Sequence, residues 1–199
     1  MRIPYVIDNQ QHRMADILSS ILAEHARKSL DIATAYFNLQ GFRLLREGLE
    51  QLGSFRLLLG DEPRDGASLG IKPAATQQLI SELNTAPYDE ETVRLVESLI
   101  AYLRRELVEV RAYQEGFLHA KCYLFYGDLP KGTADRFQPK VAIVGSSNFT
   151  GAGLTTNKEL NLSHKALLTE CRHLRWVDLV LGSREELALR EKLMSSVGA

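Results

Sequence analysis

Apolar residues at Met14, Ile17, Leu18, Ile21 and Leu22 recur at helical spacing and predict a helix over 14–26, ended by the polar cluster Arg27-Lys28-Ser29. The period then changes. Residues 29–37 alternate and are rich in β-formers, 42–52 return to helical spacing and stop at Gly53, and 55–59 form a short apolar run closed by Gly60-Asp61. An opening helix followed by β-α-β order is the reading.

Residues 60–72 hold three glycines, a proline and several charges. They read as a surface loop, because core-like patterns continue on both sides. Helices are expected over 73–83 and 89–107, the second with Asp89 as its cap and Glu90-Glu91 in its first turn, where the helix dipole favours negative charge. The pattern then turns to strands at 108–113, 117–126, 140–145 and 159–163, with a loop over 127–139, before helical spacing returns at 165–181 and 184–194. There is no low-complexity tract and no internal repeat. The order of elements is that of an α/β domain.

A chain of 199 residues with 45% apolar and 25% charged content has the composition of one globular domain. Its longest apolar runs, Leu57-Leu58-Leu59 and Val141-Ala142-Ile143-Val144, fall far short of the roughly 20 residues a membrane helix needs, and no signal-peptide pattern opens the chain. A cytoplasmic location without a membrane partner is expected. Cys122 and Cys171 lie in no metal-ligand spacing, so buried reduced thiols and no metal or other cofactor are expected. A formal charge of −1 gives no global pull toward nucleic acid, so any phosphate-binding surface must be local.

The chemistry concentrates in three short segments: Phe117-Leu118-His119-Ala120-Lys121, Gly145-Ser146-Ser147-Asn148 and Asn157-Lys158-Glu159. In a strand, residues two apart share a face, so His119 and Lys121 project together while Ala120, Cys122 and Leu124 point into apolar packing. An imidazole serves as nucleophile or as general acid and base near neutral pH, and a neighbouring ammonium neutralises phosphate charge. Ser146 and Asn148 follow a hydrophobic strand and offer hydrogen bonds to nonbridging oxygens. Glu159 can accept the Nδ1 proton of His119 and leave Nε2 to attack. Each piece alone has a plainer explanation: a core histidine, a snorkelling lysine, a turn, a solvated carboxylate. Their combination is what speaks for a site. His164 and His173 lack partnered spacing, Arg172, Arg175 and Trp176 fit an amphipathic helix, and Arg104, Arg105, Lys131, Arg136 and Lys140 read by default as scattered surface charge.

These segments resemble the HxK…GSxN…E signature of the phospholipase D superfamily over roughly residues 117–163. The resemblance implies a phospholipase D-like α/β fold with a mixed β-sheet flanked by helices on both faces, a nucleophilic His119, phosphate-binding Lys121 and Asn148, a supporting Ser146 and an orienting Glu159. One position departs: where the family has Asp five residues after the lysine, this chain has Tyr126. That Asp is mainly structural in the family, so the departure concerns local strand-turn geometry more than the chemistry.

In-line displacement places nucleophile and leaving group on opposite sides of phosphorus, so one histidine does not serve both. Larger members of the superfamily carry a second HxK copy; this chain has one. A two-fold homodimer that faces His119 with its symmetry mate is the simplest solution. The expected function is therefore a metal-independent phosphodiesterase, a nuclease acting on DNA through a phosphohistidine. A catalytically weak nucleic-acid-binding module and a phospholipid phosphodiesterase are the alternatives, the latter lacking the amphipathic interfacial segment it calls for. Similar modules occur fused to helicases and in restriction systems, and the ending Ser195-Ser196-Val197-Gly198-Ala199 directly after an expected helix suits a piece of a longer protein.

Overall fold

The computed structural model describes residues 2–60, 81, 89–113, 118–127 and 139–165. Along the chain these form β1 (Val6–Ile7), α1 (Met14–Ala23), β2 (Ser29–Thr34), α2 (Leu39–Glu50), β3 (Ser54–Gly60), α3 (Glu90–Leu103), β4 (Val108–Tyr113), β5 (Cys122–Tyr126), β6 (Pro139–Gly145), α4 (Gly151–Thr155) and β7 (Asn161–Lys165). The strands make one seven-stranded mixed sheet in the order β1-β7-β6-β5-β2-β3-β4. β2, β3 and β4 run parallel; β5, β6, β7 and β1 continue antiparallel from the other side of β2. Parallel neighbours need a crossover, and α2 supplies it between β2 and β3.

Alternation along each strand separates two faces. Leu30, Ile32, Phe55, Leu57, Tyr123, Phe125, Val141 and Ile143 pack with the buried stripes of α1, α2 and α3 in the larger core. Ala33, Leu58, Cys122, Leu124, Tyr126 and Ala142 form a smaller apolar cluster on the opposite face. That second face also holds Asp31, fully buried and bound bidentately by its cross-strand neighbour Arg56, whose Nε donates to Oδ1 at 2.8 Å. The ion pair satisfies a carboxylate that would otherwise be costly to bury.

The cap of α3 is where the sequence placed it. The Asp89 carboxylate accepts the Thr92 N–H at 2.8 Å. Asn38 Oδ1 accepts from Gly41 N at 2.9 Å and also from Gly151 N at 3.0 Å, so one side chain starts α2 and holds the turn into α4. Gly41 permits this closeness, since a Cβ there would stand 2.5 Å from the Phe149 carbonyl oxygen.

Several expectations shift. The strand expected over 117–126 begins only at Cys122, and that expected over 159–163 begins at Asn161. Cys122 pairs Ala33 and Val144, and Asn161 pairs Gly145, at the very ends of β2 and β6. Regular strand pairing stops there, so His119, Lys121 and Glu159 lie in irregular segments at one end of the strands. The helix expected over 89–107 ends at Leu103. β1 and α4, two and five residues long, carry too little periodicity to be read beforehand. Of the loop expected over 60–72 only Gly60 is described, ending β3, and of the helix expected over 73–83 only Ser81, which is helical; the rest of both, and the helices expected over 165–181 and 184–194 apart from Lys165, which ends β7, lie outside the described residues. No described helix is long and apolar enough to cross a membrane.

Candidate active site

Antiparallel order brings the C-terminal ends of β2 and β6 to the same edge as the N-terminal ends of β5 and β7. Each predicted site residue hangs from one of these ends. His119 and Lys121 precede β5, Ser146 and Asn148 follow β6, and Glu159 precedes β7. The Gly145 N–H donates to the Lys121 carbonyl at 3.1 Å, fastening the first two segments together. Ser146 N–H donates to the Leu160 carbonyl at 3.1 Å and Leu160 N–H to Ser146 Oγ at 2.9 Å, fastening the third.

His119 is exposed and Lys121 buried, so the two do not share an orientation as consecutive same-face strand residues would. Lys121 Nζ donates to the His119 carbonyl at 2.8 Å, curling back over the segment that carries the imidazole. Partial shielding from water, with the Lys121 charge second, holds the His119 pKa below the ordinary histidine range. Burial also lowers Lys121, and the Glu159 carboxylate opposes that shift. A neutral imidazole beside a cation is a nucleophile next to an anion site.

Ser146 Oγ donates to a carboxylate oxygen of Glu159, and Asn157 Nδ2 lies 3.4 Å from the other. Asn9, on the loop before α1, donates through Nδ2 to the Asn157 carbonyl at 3.0 Å and the Gly153 carbonyl at 2.9 Å, steadying the segment that leads to Glu159. Asn148 is half-buried; its Oδ1 accepts from Tyr36 N at 3.2 Å and lies 3.3 Å from Thr34 Oγ1. Asn161, almost wholly buried, donates to Ser147 Oγ at 2.8 Å and to the Ile7 carbonyl at 3.2 Å while accepting from Ser147 N at 3.1 Å.

The sequence covers this edge with a known pattern. Residues 20–173 match the family described as "Cardiolipin synthase, PLD-like domain". The chain belongs to the PLD-like family. A comparison with curated proteins finds no match. Among solved structures, polyphosphate kinase from Porphyromonas gingivalis superposes with a TM-score of 0.52 at 15% identity, covering 92% of this chain and 26% of that one. Phosphatidylserine synthase from Haemophilus influenzae Rd KW20 gives 0.51 at 14% identity, with 99% and 40% covered. Nuc, a phospholipase D family member from Salmonella typhimurium, gives 0.44 at 12% identity, with 81% and 82% covered. At these identities the likeness concerns the PLD-like α/β fold.

Tyr126, the departure from the PLD-like signature, is buried in the second-face cluster at the far end of β5. Five residues of strand place it about 16 Å from Lys121, so it packs in that cluster away from the site. Cys122 is likewise buried on that face, which pushes its thiol up to about 12 and leaves it an inert packing group. Arg105 binds the Glu50 carbonyl at 2.8 Å, and Lys140 lies beside Gly127; both sit toward the opposite edge of the sheet. His164 is exposed on β7, while Lys131, Arg136, Cys171, Arg172, His173, Arg175 and Trp176 lie outside the described residues. A cavity of about 780 Å³ between α1, α2 and α3 is lined by none of the site residues.

Proposed function

We propose that this PLD-like chain is a metal-independent phosphodiesterase, a nuclease that cleaves DNA through a phosphohistidine in a site shared by two copies of the chain. The observation that carries the reading is the Gly145–Lys121 hydrogen bond, which sets the HxK segment against the GSSN loop at one sheet edge. The family membership supports phosphodiester chemistry; DNA as substrate and the dimer belong to the proposal alone.

In this mechanism Nε2 of His119 attacks phosphorus and forms an N–P bond as the P–O bond to the leaving strand breaks. The partner subunit's His119 gives its proton to that oxygen. The same imidazole then takes a proton from water, whose oxygen displaces Nε2 and releases the phosphomonoester. Lys121 and Asn148 hold the equatorial oxygens, where fixed donors offset the charge that redistributes in the transition state. Glu159 takes the Ser146 hydroxyl with one oxygen, and its other oxygen, only 3.4 Å from Asn157 Nδ2, is the one proposed to face Nδ1 of His119.

The deciding experiment incubates the wild type and His119→Ala with labelled single- and double-stranded DNA in EDTA. Cleavage by the wild type and none by the variant is expected. Salt-sensitive binding without turnover would leave a nucleic-acid-binding module as the better account.

A further inference from the structure

Thr34, the last residue of β2, is wholly buried and belongs to no part of the recognised signature. Its Oγ1 accepts the Phe149 N–H at 3.0 Å and lies 2.9 Å from the Tyr36 carbonyl and 3.3 Å from Asn148 Oδ1. A hydroxyl has one proton, so with Phe149 on a lone pair that proton is shared between the two carbonyl oxygens. The Tyr36 N–H donates to the same Asn148 Oδ1 at 3.2 Å. A peptide N–H is a donor in every state, and this assigns the amide: a flipped Asn148 would set its NH2 against the Tyr36 N–H. Oδ1 is therefore the held atom and Nδ2 the one left for a ligand.

We propose that Thr34 is a positioning residue for phosphoryl oxyanions. Together with the Tyr36 N–H it holds Asn148 Oδ1, so that the side chain presents its NH2 toward a nonbridging oxygen. The β-branched side chain suits the task, because its restricted χ1 keeps Oγ1 between Phe149 N and Asn148 Oδ1. A ligand oxygen that accepts from Nδ2 is selected over any group that must donate there. This inference rests on reading the site as one for phosphodiesters, and it adds a residue on β2 to a site otherwise drawn from the last third of the described sheet.

The test is a double-mutant cycle read by calorimetric binding of tungstate, a tetrahedral oxyanion, to the intact chain. Thr34→Val is expected to weaken binding about tenfold, and Thr34→Ser to recover it to within about threefold, the size of effect a single hydrogen bond to an oriented group carries. On the Asn148→Ala background Thr34→Val is expected to add nothing. If it adds its full factor there, or if Thr34→Val melts like the wild type and binds tungstate equally well, Thr34 does not act through Asn148. Should Thr34→Val not fold, the wild type still decides. The Asn148 side-chain NH2 resonance, identified by its loss in Asn148→Ala, is expected to move on tungstate addition, and a resonance that stays fixed at saturation overturns the proposal. A wild type that binds tungstate yet cleaves no DNA removes the nuclease reading and leaves this inference standing; one that binds no tungstate overturns it.

Discussion

Gly145 meets Lys121 through a backbone hydrogen bond of 3.1 Å at the point where β5 and β6 stop pairing. No side chain takes part, so the register of β5 on β6 sets the HxK segment against the GSSN loop. Gly145 also pairs with Asn161, the first residue of β7. A Cβ there would stand 2.3 Å from the Leu160 carbonyl oxygen and 2.5 Å from Asn161 Cα, both backbone atoms that cannot swing aside. Gly145→Ala is therefore expected to cost about 1–3 kcal/mol in urea unfolding, the range for forcing a methyl group into packed structure. It is also expected to lower oxyanion binding, because relief requires the loop to lift. An unchanged unfolding midpoint would mean the loop is looser than these contacts.

A composite site makes a quantitative demand on mixed subunits. If both His119 imidazoles serve one reaction, a heterodimer of wild type and His119→Ala has lost either nucleophile or acid and is inactive. Refolding equal amounts together should leave roughly a quarter of the activity of the same total of wild type, since only homodimers of wild type count. Independent sites would leave a half. Measuring activity across the mixing ratio separates a square law from a straight line, and the straight line would dismiss the shared site.

Burial without a partner marks another position. The Tyr102 hydroxyl is buried with no hydrogen-bond partner among the described residues, its ring packed against Phe42 and Phe55. Burial drives its pKa well above the usual tyrosine range, because a phenolate there has nothing to solvate it. Tyr102→Phe removes the unsatisfied group and keeps the ring, so it is expected to stabilise the chain by about 1 kcal/mol. Thermal or urea unfolding checks this, and a loss of stability would show that the hydroxyl has a partner after all.

Reading the chain beforehand succeeded where pattern was long and failed where tertiary contacts decide. α2, α3 and the strands β2 to β6 each bring enough periodic residues to announce themselves, and Asp89 announced its cap. The exact start of β5 did not, because whether His119 extends a ladder depends on where β2 and β6 end. The five residues proposed for the site were named from type and spacing, and the structure draws their segments to one edge. Thr34, Asn161 and Asn9 were not, although they hold Asn148, Ser147 and the approach to Glu159. Each acts across more than ten residues of sequence through one or two polar atoms, which leaves no periodic trace.

The electrostatics of His119 lead to the last prediction. Its pKa is lowered first by partial shielding from water and second by the Lys121 charge. A lowered value means that the neutral, nucleophilic form is already dominant below the free-histidine midpoint of about 6.5. The acidic limb of kcat/KM should accordingly fall below that value in the wild type. Lys121→Met removes the cation and leaves the shielding, so the His119 midpoint should move up, though only part of the way. Proton NMR titration of the His119 ring reads the shift without requiring turnover, and the acidic limb of any residual activity should follow it. A midpoint that stays in place or drops in Lys121→Met would mean that the ammonium does not act on the imidazole, and the pairing of nucleophile and cation would have to be abandoned.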